Sequence, residues 1–182
     1  KLHKTTEPDG NVVTLTYNRP AQHNAIDRTM NRELHHAWQR FRDDDDAFVL
    51  VITGAGETTF SAGWDLPTVR SFGREEMSRF LADFTALMRG LFAFDGPVVA
   101  ALPGHAIAGG LILASGADER IAAEGKGEFG LSEVALGVPI PRAAYEIFRY
   151  ILGDHGAERL AAAGDNVSGP RALEMGFLDR IV

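Results

Sequence analysis

Apolar and polar positions follow two periods along this chain, and the switches between them set out its elements. Residues 12–17, Val-Val-Thr-Leu-Thr-Tyr, are β-prone and alternate in part, and Asn18-Arg19-Pro20 then turns the chain. Asp27 is suited to cap a helix running to about Phe41, because Met30, Leu34, Ala37, Trp38 and Phe41 recur on a 3.6-residue stripe. The run Asp43-Asp44-Asp45-Asp46 ends it. Residues 48–52, Phe-Val-Leu-Val-Ile, and 98–102, Val-Val-Ala-Ala-Leu, are continuous apolar runs, the kind buried on both faces of a parallel sheet. Between Glu75 and Leu91, the residues Met77, Phe80, Leu81, Phe84, Leu87, Met88 and Leu91 repeat at helical spacing, a core-facing stripe. Short strands are predicted at 119–122 and at the closing Ile181-Val182. Further helical patterns lie at 111–115, 144–151 and 157–163, and Pro170 can begin another over 171–175. Strand alternating with helix predicts an α/β fold, a single domain over residues 1–182 with no linker, repeat or low-complexity tract.

Composition narrows the function classes. A chain of 182 residues buries roughly two-thirds of the surface its unfolded form exposes, enough for one core. Eighteen Lys plus Arg against 25 Asp plus Glu give a net charge of −7, which offers no basic footprint for nucleic acid or an anionic membrane. A small basic patch for a phosphorylated ligand remains compatible with that balance. The absence of cysteine excludes disulfides, thiol nucleophiles and Cys-ligated metals. No apolar stretch reaches about 18 residues, so no membrane span is predicted. The opening Lys1-Leu2-His3-Lys4 carries no apolar signal core, and a cytoplasmic protein is expected. The four adjacent aspartates lack the alternating oxygens and central glycine of a calcium loop and read as a solvated turn.

Three stretches could carry chemistry. Phe60-Ser61-Ala62-Gly63-Trp64-Asp65-Leu66 and Gly104-His105-Ala106-Ile107-Ala108-Gly109-Gly110 each follow a predicted strand and are rich in Gly and Ala. Small side chains let a ligand approach the backbone, and two such amide-bearing turns together could build an oxyanion hole. Each could equally be a tight turn with close helix packing. Neither ends in Gly-Lys-Ser/Thr, neither has dinucleotide-binding glycine spacing, and no Gly-x-Ser-x-Gly elbow is present. The six histidines show no metal-ligand spacing, and no metal is expected. In the third stretch, Phe129-Gly130-Leu131-Ser132-Glu133-Val134-Ala135-Leu136-Gly137, a lone Glu133 lies in apolar surroundings. It is either a salt-bridged structural residue or an acid/base with a raised pKa.

These three stretches in this order resemble the enoyl-CoA hydratase/isomerase (crotonase) family. The opening Asn18-Arg19-Pro20…Asn24-Ala25 is similar too, as are Val49-Leu50-Val51-Ile52-Thr53-Gly54-Ala55-Gly56 and the closing Gly176-Phe177-Leu178-Asp179-Arg180-Ile181-Val182. The resemblance implies a crotonase-like superhelix of ββα units, assembled as a homotrimer or a hexamer, a dimer of trimers. It also implies an acyl-CoA thioester substrate, with no cofactor other than the coenzyme A of that substrate. By the same resemblance, the backbone N–H groups of Trp64 and Gly109 hold the thioester oxygen, and Glu133 is the acid/base. His23, Asn24, Ala25, Ala62 and Asp65 lie along the coenzyme A moiety.

Two departures bear on the chemistry. Hydratases of the two-carboxylate type carry a second Glu three residues after the oxyanion glycine, where this chain has Ile112. The Gly130-Leu131-Ser132-Glu133 context is closer to single-Glu enoyl-CoA isomerases, so isomerisation is the first expectation. Alternatives are a single-Glu hydratase or lyase, since residues 60–66 also match carnitinyl-CoA dehydratase, and a non-catalytic coenzyme A-binding or structural protein. Family members also continue past the point where this sequence stops, so C-terminal covering helices are expected to be missing. Apolar surface from residues 144–163 is then expected to need a partner.

Overall fold

A computed structural model describes residues 2–7, 10–43 and 47–182. Asp44, Asp45 and Asp46 of the acidic run lie outside the described residues. Strands β1 (Leu2–Glu7) and β2 (Gly10–Tyr17) form an antiparallel hairpin. After it, helix α1 (Arg28–Arg42) begins where the Asp27 carboxylate accepts the Met30 N–H at 2.8 Å. Its stripe buries Met30, Leu34, Trp38 and Phe41, as the spacing predicts.

The next three segments repeat one plan. Strands β3 (Ala47–Gly54) and β4 (Thr59–Ser61) precede helices α2 (Leu66–Arg70) and α3 (Arg74–Phe92). Strands β5 (Val98–Leu102) and β6 (His105–Ile107) precede α4 (Gly109–Ala114). Strands β7 (Glu119–Ala122) and β8 (Glu128–Gly130) precede α5 (Glu133–Leu136) and α6 (Arg142–Ala163). The chain then adds β9 (Asn166–Ser168), α7 (Gly169–Glu174) and β10 (Arg180–Ile181). Each ββα unit gives its first strand to a six-stranded sheet ordered β1-β2-β3-β5-β7-β10. Its second strand goes to a four-stranded sheet ordered β4-β6-β8-β9. Neighbours β2, β3, β5, β7 and β10 pair parallel, which explains why β3 and β5 are apolar without interruption.

The core fills the space between the large sheet and the helices. Leu50, Ile52, Val98 and Ala100 of the sheet are buried, as are Phe84, Leu87, Met88 and Leu91 of α3. Helices α1 and α3 are joined by the Asn31 side-chain amide, which donates to the Phe80 carbonyl at 3.0 Å. The patterns at 144–151 and 157–163 belong to α6, in which Gly153 leaves helical geometry and separates two helical stretches. At the far edge, the buried Arg120 donates to the Phe177 and Ala117 carbonyls and pairs with Asp179 at 2.7 Å, fixing β10 beside β7.

The four-stranded sheet is the feature that sequence pattern does not foretell. Residues 60–66 and 104–110 read as loops after strands, yet each begins in a strand of its own. These strands are three residues long, too short for a two-residue period to register. Close approach is what they require: a Cβ at Gly110 would collide with the Ser61 carbonyl, so α4 can dock against β4 only without a side chain there. Gly110→Ala is therefore expected to force α4 off β4 and cost about 1–3 kcal/mol, read as a lower urea midpoint with an unchanged slope.

Candidate active site

Strands β4, β6 and β8 run parallel, and the three candidate catalytic positions all follow their carboxyl ends. Trp64 comes after Ser61, Gly109 after Ile107 and Glu133 after Gly130. Residues just beyond adjacent parallel strand ends are brought side by side by the pairing itself. All three line one pocket of about 160 Å³ with Ala62, Leu66, Ala108, Ser132, Leu136 and Val138.

The backbone amides of two pocket-lining residues, Trp64 and Gly109, have no backbone acceptor among the described residues. Trp64 forms an isolated parallel bridge to Ile26, in which Ile26 N–H donates to the Gly63 carbonyl and Asp65 N–H donates to the Ile26 carbonyl. That pattern uses the groups flanking Trp64 and leaves the Trp64 N–H pointing the other way. Gly109 is the first residue of α4, where an N–H has no intrahelical acceptor. The residue before each amide has a positive φ: +85° at Gly63 and 50° at Ala108, the latter with ψ −124°. For alanine this is a strained conformation, of order 1–3 kcal/mol. It is held by the Ala108 N–H bond to the Gly130 carbonyl at 2.8 Å and by the Ile112 N–H bond to the Ala108 carbonyl at 3.0 Å. A Cβ at Gly63 would lie 2.8 Å from the Gly109 nitrogen, so the two turns are in direct contact.

Glu133 opens α5 and is only 6% exposed. Its Oε2 atom is buried with no hydrogen-bond partner. Burial pushes its carboxyl above the ordinary value, opposed in part by a bond from its own backbone N–H. It is therefore no salt-bridged structural residue. Ile112 is 1% exposed inside α4 and is not among the pocket-lining residues.

The residues expected along coenzyme A divide into two groups. His23 and Ala62 are exposed and joined by the Ala62 N–H bond to the His23 carbonyl at 3.0 Å, with Ala25 half-buried beside them. Asn24, by contrast, is fully buried, and its side chain is spent internally. Its amide donates to the Ala55 and Thr59 carbonyls at 2.9 and 2.8 Å, while its oxygen accepts the Arg19 N–H at 2.9 Å. Asp65 caps α2 by accepting the Thr68 N–H at 3.1 Å and pairs with Arg19 at 3.3 Å. Burial acts to raise its pKa, but the Thr68 and Arg19 contacts outweigh that and hold the carboxyl below its usual value. Asn24 and Asp65 thus shape the turn that carries the exposed residues. Sequence reasoning passed over Arg19, which also donates to the Ala25 carbonyl at 2.5 Å and pairs with Asp27 at 3.2 Å. Its place between two turn segments was the available signal.

Residues 7–182 match the family described as Enoyl-CoA hydratase/isomerase. A carnitinyl-CoA dehydratase of Escherichia coli K12 is 34% identical over 181 residues, covering 100% of this chain and 67% of that protein. A short-chain-enoyl-CoA hydratase of Clostridium acetobutylicum is 29% identical, covering 97% of this chain and 67% of the relative. Among solved structures, an enoyl-CoA hydratase/carnithine racemase from Magnetospirillum magneticum superposes with a TM-score of 0.90 at 26% identity, covering 100% of this chain and 67% of that one. The chain belongs to the enoyl-CoA hydratase/isomerase family, with the crotonase fold and the acyl-CoA-processing type of enzyme that this family comprises.

The raised Glu133 pKa has a stability consequence of definite sign. The folded state favours the protonated carboxyl, so ionisation destabilises the fold as pH rises above the ordinary value of 4.5. Glu133→Gln is expected to be more stable than the parent at pH 7, with the difference closing as pH falls below 4.5. Urea unfolding at several pH values checks this, and a gap independent of pH would contradict it.

Proposed function

We propose that this member of the family is an enoyl-CoA isomerase, which shifts a double bond between the 3- and 2-positions of an acyl thioester. The observation carrying this reading is that, among the described residues, Glu133 is the one ionisable side chain lining a pocket that is also lined by two residues with unpaired backbone amides, Trp64 and Gly109. In the proposed sequence the Glu133 carboxylate takes a proton from C2 of a 3-enoyl thioester. The electron pair delocalises onto the thioester oxygen, which the Trp64 and Gly109 N–H groups hold as it gains charge. Glu133 then returns the proton at C4, giving the 2-enoyl thioester and restoring the carboxylate. A raised pKa suits this work, because a carboxyl closer to neutrality both accepts and gives up a proton readily. Each amide is worth about 3 kcal/mol to the developing oxyanion by analogy with donors removed from other enzymes. His23, Ala25 and Ala62 provide the exposed surface for the coenzyme A moiety, and Asn24 and Asp65 set its shape.

A second reading, hydration or dehydration at the same site, is favoured by the names of the relatives, a hydratase and a dehydratase. Both readings pass through a thioester enolate: isomerisation through one conjugated to the 3,4 double bond, hydration or dehydration through one that carries a hydroxyl at C3. Ile112 argues for isomerisation, since an apolar side chain neither orients nor activates water. Spectroscopic turnover of 3-enoyl-CoA against 2-enoyl-CoA separates them, with faster turnover of the 3-enoyl thioester expected. Glu133→Gln is expected to lower kcat by about 10²-fold or more while leaving binding of coenzyme A thioesters in place. Rapid hydration of 2-enoyl-CoA without isomerisation would remove the isomerase assignment, and full activity of Glu133→Gln would remove the role given to that residue.

Self-association as a trimer, or a pair of trimers, fits the exposed apolar side chains. Helix α6 buries Ala144, Ile147, Phe148, Ala157 and Leu160 but leaves Tyr150 79% exposed, its ring edge-to-face with the exposed Phe92. Val134 and Leu136 of α5 are also exposed beside the pocket. Light scattering is expected to give three or six chains per particle at micromolar concentration, and a monomer would overturn this.

A further inference from the structure

The geometry points to the Trp64 indole as the wall that limits the acyl group, restricting this site to short, apolar acyl thioesters of about six carbons or fewer. The inference rests on the acyl-thioester reading and adds the substrate's size. An engineered apolar cavity of about 150 Å³ in another protein holds a benzene. The pocket here, about 160 Å³, therefore has room for a chain of similar size. Its walls are apolar at Leu66, Ala108, Leu136 and Val138.

The indole is pinned rather than free to swing. Its ring meets Phe80 and Phe84 edge-to-face at centroid distances of 5.6 and 5.5 Å. On another side it lies against Gly109, where an added Cβ would be 3.1 Å from both its Cδ1 and Nε1 atoms. Phe84 is fully buried and Phe80 nearly so, which makes the region behind the indole an apolar interior. A growing acyl chain thus has two ways to go. Past Leu136, itself 47% exposed, the added methylenes enter solvent and gain little. Toward Phe80 and Phe84 they would be buried, but Trp64 occupies that path. The residue whose backbone N–H holds the thioester oxygen thereby also sets, through its side chain, how long the acyl group can be.

Calorimetric titration with butyryl-, hexanoyl- and decanoyl-CoA tests this without requiring turnover. For the parent chain, affinity is expected to rise from butyryl to hexanoyl and then stay level to decanoyl. Trp64→Ala opens the buried path, and each further methylene is then expected to tighten binding by about fourfold. The decanoyl-to-hexanoyl affinity ratio should rise by more than about tenfold over the parent. Trp64→Phe, which keeps an aromatic ring on Phe80 and Phe84, is expected to fall between the two and serves if the alanine variant does not fold. A steady rise to decanoyl in the parent, or folded Trp64 variants whose chain-length series parallels the parent's, would overturn the inference while leaving the acyl-thioester reading intact. Absence of binding for every thioester in the parent would overturn both.

Discussion

Everything at the site depends on the parallel pairing of three very short strands. Thr59 and Ser61 of β4 are registered against His105 and Ala106 of β6, and Ala106 and Ile107 against Phe129 and Gly130 of β8. That register fixes where the three following turns emerge. A slip of one residue would reverse the facing of each turn, and a site that needs two amides and a carboxylate in one pocket would be lost. Three-residue strands cannot hold such a register by their own hydrogen bonds. The large sheet holds it for them, because each short strand follows a strand of the large sheet after only a short turn in the ββα plan.

That division of labour explains what could be read in advance. The strands of the large sheet announce themselves as apolar runs at 12–17, 48–52 and 98–102, and α1 and α3 as stripes, because burial of whole faces selects the residue types. The turns that follow the small sheet select instead for the absence of side chains. Gly63 and Gly110 exist for backbone contact, and in sequence such residues look the same as those of a turn. The candidate chemistry was nevertheless legible in part: Gly and Ala clusters flagged the amide turns, and an isolated Glu133 in apolar company flagged the carboxyl. What sequence could not separate was exposed from structural polar residues. Asn24 looks like a ligand-binding residue beside His23, yet its side-chain hydrogen bonds all run inward. Asp65 sits next to Trp64, yet its carboxylate is taken by Thr68 and Arg19.

The energetics of the site run against stability throughout. Ala108 holds a backbone conformation that alanine disfavours, two amides lack acceptors, and a carboxyl oxygen is buried without a partner. In a core segment each of these would mark a fault. Here they converge on residues lining one pocket, and in the proposed reaction a thioester enolate satisfies the last two: its oxygen accepts the amide N–H groups, and the carboxyl exchanges a proton with carbon. A site poised for charge that only the reacting molecule supplies is less stable when empty, and the surrounding core has to carry that cost.

The same reasoning gives Ile112 its weight. A second carboxyl at that position would sit in a helix whose residues Gly109 to Ala114 are all buried. A carboxyl so buried would need water or hydrogen-bond donors to remain ionised. Within a pocket lined mostly by apolar side chains, burial alone lifts the Glu133 carboxyl above its ordinary value. An isoleucine at 112 keeps a second charge out of that buried helix, and under the isomerase proposal it leaves Glu133 as the single acid/base.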